Sequence, residues 1–303
     1  AVCAAAGDAG DRMKRRCVVS ALTAGGIGEW PLLANAQAKR RPRLGCISNF
    51  PVMDPVDWKW FSHGMAKLGW ESDVNLDVDW RFALNDRQKY RLDAQQLVAW
   101  GADVLFAIGP DAVDAAFQTS KSIPIVIISA AALEAGYATS LARPNGNVTG
   151  VVSQVLDLVG KALDLLRAFR PELSRIGVVH QSGDVLAERW IKGWRNAAAS
   201  ASISIVPLPF LQSQWDVPPM LAVAGREQVQ ALVIEGPTPM MLGTGFDRLL
   251  GWMTENRVLS FSTSRLRGEH LVTLGPDPVA MRGIALSQID RILRGTLPGA
   301  IPI

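Results

Sequence analysis

Residues 104–128 read VLFAIGPDAVDAAFQTSKSIPIVII, and this stretch decides the fold class. It holds an apolar run at residues 104–108, a Gly-Pro turn, a helical segment at 111–120 and a second apolar run at 123–128. Continuous apolar strands without alternation are typical of a parallel sheet that helices cover on both faces. The stretch therefore predicts a strand–helix–strand unit with parallel strands.

The same pattern continues on both sides of this unit. Apolar or β-branched runs predict further strands at residues 44–48, 75–82, 148–152, 175–180, 203–208, 231–234, 258–261 and 271–274. Helical spacing of apolar residues predicts helices at residues 58–68, 87–100, 156–169, 185–200, 218–226, 244–256 and 279–294. The strand at 75–82 alternates with period two, so we expect it near a sheet edge. Because the pattern breaks near Gly150 and restarts, we predict two α/β lobes, each a parallel sheet flanked by helices.

The first 36 residues have the features of an export signal. Basic residues at 14–16 precede a short apolar stretch at 17–28, and Ala34-Asn35-Ala36 forms a small-x-small cleavage site. Residues 1–12 are interpreted as an upstream extension. The Arg15-Arg16 pair favours the twin-arginine export route. We expect cleavage after Ala36 and a periplasmic or extracytoplasmic protein.

The predicted domains follow from this signal and from the break in the pattern. Residues 1–36 are the extension and signal peptide. Residues 41–150 with about 271–297 form the first lobe, and 151–270 form the second. Only Cys46 remains after cleavage, which excludes an intramolecular disulfide in the mature chain.

Composition excludes several classes of protein. A hydrophobic content of 49% in 303 residues allows a large core. The sequence contains no run of 18 consecutive apolar residues, so it predicts no membrane-spanning helix. The net charge is only +3, without a long basic block outside the N-terminal region, so we expect no nucleic-acid partner.

No motif for catalysis, cofactor or metal is present in the sequence. It lacks a dinucleotide fingerprint after the first strand, a phosphate-binding loop and a Gly-x-Ser-x-Gly elbow. His63, His180 and His270 are far apart and lack metal-ligand spacing. We therefore expect no cofactor, no metal and no enzyme. The alternative is an enzyme that uses His180 and Glu235 at two strand ends.

Ligands of parallel α/β sheets bind beyond the carboxyl ends of the strands. The residues that we expect to contact ligand are Ser48, Asn49, Gly109, Pro110, Asp111, Ser129, His180, Gln181, Glu235, Gly236 and Phe261. Ser182, Ser260 and Ser262 lie at the same strand ends. Backbone N–H groups at the start of the helix after Gly109 can receive a carboxylate or phosphate.

Several stretches resemble a known family. They are Phe61-x-x-Gly64-Met65-x-x-Leu68-Gly69-Trp70, Asn75-x-x-Val78-Asp79-x-Arg81, Ser140-Leu141-Ala142-Arg143-Pro144-x-Gly146-Asn147-Val148-Thr149-Gly150, Leu274-Gly275-Pro276-Asp277 and Ile289-Asp290-Arg291-Ile292-Leu293-Arg294-Gly295. On these residues the chain resembles ABC transporter substrate-binding proteins, the family that includes tryptophan- and tyrosine-binding members. The resemblance implies a type I periplasmic-binding fold, a small ligand such as an amino acid or aromatic compound, and an ABC permease as partner.

The chain also departs from the family pattern. Ser129-Ala130-Ala131-Ala132 stands where the family has an Asp-Pro pair, which suits a less cationic ligand. His180-Gln181-Ser182 replaces an Asn-Pro pair, and Leu274 replaces a tyrosine. The family pattern continues beyond Ile303 with a strand and helix, so we expect a C-terminal truncation. The alternative function is therefore an exported sensory or scaffold protein of the same fold that has lost transport.

Overall fold

The computed structural model describes residues 40–48, 55–83, 86–130, 132–133, 135–182, 187–210, 217–234, 244–263 and 272–303. Residues Arg41–Ile303 form one compact unit.

Five parallel strands form the first sheet. They are β1 (Arg43–Ser48), β2 (Asp77–Phe82), β3 (Val104–Ile108), β4 (Ile125–Ser129) and β5 (Val148–Val152). Their order is β2-β1-β3-β4-β5, which places β2 at an edge as predicted. Consecutive strands from β1 to β4 are connected by α1 (Pro55–Lys67), α2 (Arg87–Ala99) and α3 (Pro110–Thr119). Every residue of β3 is buried, which explains its continuous apolar sequence.

The second sheet repeats this arrangement. Its strands are β6 (Arg175–Gln181), β7 (Ser204–Phe210), β8 (Ala231–Ile234), β9 (Leu259–Ser262) and β10 (Val272–Thr273). Its helices are α4 (Val159–Phe169), α5 (Ala187–Ala198), α6 (Val217–Arg226) and α7 (Thr244–Glu255). The order β10-β9-β8-β6-β7 means that both sheets have the order 2-1-3-4-5 when strands are counted within each lobe. The predicted pair of parallel, helix-flanked sheets is confirmed.

The last helix, α8 (Pro278–Leu293), follows the second sheet in sequence but packs on the first. Ala285, Leu286 and Ile289 of α8 join the apolar cluster around Phe106, on the face that α1 also covers. α2 and α3 cover the opposite face. The first lobe is therefore completed by a segment that the chain supplies after the second lobe.

The position of β10 differs from the sequence prediction, which assigned residues 271–297 to the first lobe. Val272 pairs in parallel with Phe261 of β9, so β10 extends the second sheet. Within the predicted segment, α8 is the element that packs against the first sheet. Two-residue β10 is too short for its sequence pattern to show which sheet it joins.

The segment between β10 and α8 makes a close backbone approach. A Cβ atom placed on Gly275 would lie 1.6 Å from the carbonyl oxygen of Thr263. Only glycine fits this contact without movement of the backbone. Asp277 then caps α8, since its side chain accepts a hydrogen bond from the N–H of Val279.

Candidate functional site

Strand pairing brings the predicted first-lobe residues to one edge of the first sheet. Ser48 on β1 lies beside Ile108 on β3, and Ile108 lies beside Ile128 on β4. Gly109 and Ser129 are the next residues along these two strands. The carboxyl ends of three adjacent strands therefore place Ser48, Gly109 and Ser129 next to one another.

The second sheet has an equivalent edge. Val179 pairs with Ile234 at the end of β8, and Ile234 pairs with Ser262 at the end of β9. His180 follows Val179 and lies beside Pro209 of β7. His180 and Ser262 thus lie at the carboxyl edge of the second sheet.

Both connections between the lobes run from one carboxyl edge to the other. The first leaves β5 after Val152 and enters the short 3-10 helix Val155–Leu158 that precedes α4. The end of α4 leads into the amino end of β6, so the start of α4 lies at the carboxyl edge of the second sheet. The second leaves β10 after Thr273 and enters α8, whose far end leads back towards the amino end of β5. Ala130, directly after β4, packs against the core of the second lobe. The two carboxyl edges therefore lie on adjoining sides of the lobes.

The start of α3 offers hydrogen-bond donors at this edge. Gly109 has φ 94° and ψ 155°, and its carbonyl accepts the first helical hydrogen bond, from the N–H of Val113 at 3.0 Å. Pro110 has no N–H, and no side chain caps the helix. The N–H groups of Asp111 and Ala112 belong to the first turn of α3, the end of a helix whose dipole favours an anionic or carbonyl group.

The acidic groups of α3 are held by neighbouring side chains. The Arg87 guanidinium lies 3.1 Å from the Asp111 carboxylate. Burial of Tyr137, and to a smaller extent the carboxylates of Asp114 and Asp111, raises the pKa of the Tyr137 hydroxyl, which therefore stays protonated at neutral pH. Its ring contacts Phe117 with centroids 5.0 Å apart. The Arg87 guanidinium partly neutralises the Asp111 carboxylate in the first turn of α3, which reduces the repulsion of an anion at the start of this helix.

Buried hydroxyl groups line both carboxyl edges. Ser48 and Ser129 in the first lobe are 1% and 6% exposed, and Ser262 in the second is fully buried. Hydroxyl groups both donate and accept hydrogen bonds without carrying charge. Such groups can orient a polar solute but do not by themselves select a strong cation.

The structure describes three of the predicted ligand contacts of the second lobe, and they lie in different surroundings. His180 is half-buried at the strand end, and the backbone of Gln181 ends β6 beside Phe210. Phe261 is 1% exposed and its ring lies 5.8 Å from that of Trp194. The side chain of Phe261 therefore belongs to the second-lobe core, in the apolar cluster that also contains Trp194. Asn49, Glu235 and Gly236 lie outside the described residues.

An aromatic cluster beside the first-lobe edge was missed by sequence reasoning. The rings of Trp80 and Phe82 on β2 are stacked, with centroids 5.9 Å apart, and Phe82 is level with Ser48. The Arg282 guanidinium of α8 lies 5.0 Å from the Trp60 ring centroid. The alternation of Trp80 and Phe82 was a usable signal, since it puts both rings on one face of a predicted edge strand.

The described residues contain no group of three His, Cys, Asp or Glu side chains that could hold a metal ion. In the same part of the chain, none of the helices is long and apolar enough to cross a bilayer.

The fold and the two joined edges are those of periplasmic solute-binding proteins. The model of the family described as ABC transporter substrate binding protein matches residues 55–303. The chain belongs to this family of substrate-binding proteins.

Individual relatives agree with this membership. A tyrosine-binding protein of Clostridioides difficile (strain R20291) is 26% identical over 172 residues, which are 56% of this chain and 49% of the relative. The match thus spans about half the length of that relative.

Solved structures show the same fold. A conserved domain protein of Vibrio cholerae O1 biovar eltor has a TM-score of 0.75 at 22% identity, covering 87% of this chain and 88% of its own. An ABC domain from Streptococcus pneumoniae in complex with L-Trp has a TM-score of 0.72 at 19% identity, with the same coverage.

Proposed function

We propose that this protein is the extracytoplasmic solute-binding component of an ABC importer. It binds a small molecule between its lobes and delivers it to a membrane permease. The observation that carries the proposal is the pair of like-ordered parallel sheets whose carboxyl edges are joined by both inter-lobe connections. In a member of a substrate-binding family, that edge-to-edge arrangement supports closure of two lobes on a ligand.

The solute we infer is an amino acid or a related aromatic compound with a carboxylate. The N–H groups at the start of α3 suit the carboxylate, and the buried hydroxyls of Ser48 and Ser129 suit neighbouring polar groups. The printed ligands of two relatives, tyrosine and L-Trp, support the same class. Within this class, the absence of an acidic residue directly after Ser129 favours a less cationic ligand, one without a basic side chain.

The proposed contacts come from both lobes. The first lobe contributes Ser48, Asn49, Gly109, Pro110, Asp111 and Ser129. The second contributes His180, Gln181, Glu235 and Gly236. The proposed lobes are residues 41–150 with α8, and 151–270 extended by β10. The export signal in residues 1–36 directs the protein out of the cytoplasm. The protein catalyses no reaction of its own.

A thermal-shift screen of the full chain tests this function. The panel contains L-Trp, L-Tyr, other amino acids, purines and sugars. A ligand at a hundred times its dissociation constant adds about 2.7 kcal/mol to the native state, a rise of several degrees in Tm. We expect a saturable rise with amino acids or aromatic acids and none with sugars.

Two histidine variants provide a matched control. His180→Ala removes a proposed contact and should reduce the shift by about half at the same ligand concentration, whereas His63→Ala changes an exposed residue on α1 and should leave the shift intact. A folded protein whose Tm responds to no member of the panel would contradict the proposed function.

A further inference from the structure

The first connection between the lobes narrows to one residue. The N–H of Ser153 donates to the carbonyl of Ser129 at 3.0 Å, so the first sheet holds the chain as far as Ser153. The 3-10 helix of the second lobe begins at Val155, and the N–H of Asp157 already donates to the carbonyl of Gln154. Gln154 therefore lies between the last hydrogen bond of the first sheet and the first helix of the second lobe.

Gln154 has a backbone conformation that few side chains adopt. Its φ is 43° and its ψ is 31°, in the left-handed helical region. This region is disfavoured for residues other than glycine, because the Cβ atom comes too close to the following carbonyl oxygen. The exposed side chain of Gln154 does not cap the 3-10 helix, so capping does not offset the penalty. The penalty at this position therefore comes from the backbone.

The place of Gln154 in the fold sets it apart from similar residues. Gln154 follows a strand and joins the two lobes. Left-handed residues at the ends of helices and in turns are common. The other described residues with positive φ that are not glycine each lie shortly before a strand of one lobe, and they are Asp73, Asn145, Ser202, Gln228 and Arg257. The torsion angles of Gln154 therefore affect the relative orientation of the lobes, whereas those of the other five residues do not.

The second connection between the lobes has less freedom to turn. After β10, Gly275 lies so close to the backbone of Thr263 that no Cβ atom fits, and the ring of Pro276 fixes its own φ. Asp277 then caps α8. Changes in lobe orientation are absorbed by the few connecting residues whose torsion angles can change. Most of such a change therefore falls on the first connection.

We propose that Gln154 is a hinge residue whose side chain sets the balance between lobe orientations. The orientation in the structure requires the left-handed conformation at residue 154, which glutamine makes less stable than glycine would. Rotation of one lobe moves residue 154 towards the extended or right-handed region, where a side chain is tolerated. A solute that favours one orientation then shifts a balance that exists already. The inference concerns the solute-free chain, so it goes beyond the proposed function.

Pulsed electron spin resonance of the solute-free chain tests the proposal by measuring the distance between the lobes. Spin labels are attached through Gln88→Cys on α2 and Ala222→Cys on α6, both at exposed positions. These helices follow β2 and β7, which lie at the opposite sheet edges from β5 and β10, so the distance responds strongly to rotation at the connections. Cys3 and Cys17 are replaced by serine, and the fully buried Cys46 stays unlabelled.

Two substitutions at residue 154 should have opposite effects on this distance distribution. Gln154→Gly removes the penalty and favours the lobe orientation in the structure. Gln154→Val increases the penalty, because a β-branched residue is an outlier in the left-handed region. The ratio of this orientation to all others should be roughly tenfold or more higher in Gln154→Gly than in Gln154→Val.

Gln228→Gly and Gln228→Val are the matched controls. Gln228 has a φ of 54° but lies between α6 and β8, inside the second lobe, so both variants should keep the wild-type distances. Circular dichroism verifies that all four variants are folded. Equal distributions in Gln154→Gly and Gln154→Val overturn the proposal, and so does an equally large difference between the two Gln228 variants. A chain that binds no solute contradicts the proposed function but leaves these distances unchanged.

Discussion

The two lobes share one topology but differ in how their cores are completed. Both sheets have the order 2-1-3-4-5, and both begin with Arg, an apolar residue and Gly, at Arg43–Gly45 and Arg175–Gly177. The second lobe covers its faces with its own helices, α4 to α7. The first lobe depends on α8, which arrives only after the second lobe is complete. Equal strand order therefore does not make the two lobes equally autonomous.

The largest expected effect is on the free energy of unfolding, when a buried helix residue in the core of each lobe is replaced by alanine. Ile289 of α8 and Leu249 of α7 are both fully buried, one in each lobe. Ile289→Ala and Leu249→Ala should each lower the free energy of unfolding by about 2–5 kcal/mol through a cavity. Hydrogen exchange separates them, because Ile289→Ala should accelerate exchange in β3 to β5 and Leu249→Ala in β6 to β8.

Identical exchange profiles for these two variants would contradict the dependence of the first lobe on α8. Val279→Ala, at a residue of α8 that is 72% exposed, is the control, and its unfolding free energy should stay near that of the wild type.

A smaller effect is expected from alanine substitution of the equivalent glycines in the first strand of each lobe, Gly45 in β1 and Gly177 in β6. A Cβ atom on Gly177 would lie 2.5 Å from Leu208 Cδ1 and 2.7 Å from Leu232 Cδ2. On Gly45 the nearest atom would be Leu105 Cδ2 at 3.1 Å. Gly177→Ala should therefore cost about 1–3 kcal/mol, and Gly45→Ala less, as measured by urea denaturation. A larger loss for Gly45→Ala would show that the second lobe is the looser of the two.

The alternation of strands and helices made the fold predictable from sequence. The buried run of β3 and the Gly-Pro start of α3 follow directly from local rules, since continuous apolar strands and glycine–proline helix starts have few alternative structures. β10 was assigned to the wrong sheet because two residues carry no periodic signal. Long-range pairing with Phe261, which no local pattern encodes, decided its place.

The candidate site was predictable only in part. Strand ends could be located, so Ser48, Ser129 and His180 were placed correctly at the two edges. Which way a side chain points within a short buried strand depends on register, and Phe261 consequently lies in the core. The contact between Arg282 and Trp60 joins residues more than two hundred positions apart, so it required the folded chain.

Binding of one solute between the two lobes is tested by titration calorimetry with the solute that the thermal-shift screen identifies, using one variant from each lobe. We expect one solute per chain, and a loss of affinity of roughly tenfold in both Ser129→Ala and His180→Ala, because each removes a polar contact from one side of the cleft. Gly251→Ala, at an exposed position of α7 where a Cβ meets nothing within 4 Å, should bind like the wild type. Full affinity in both Ser129→Ala and His180→Ala, or a loss confined to one lobe, would contradict binding between the lobes.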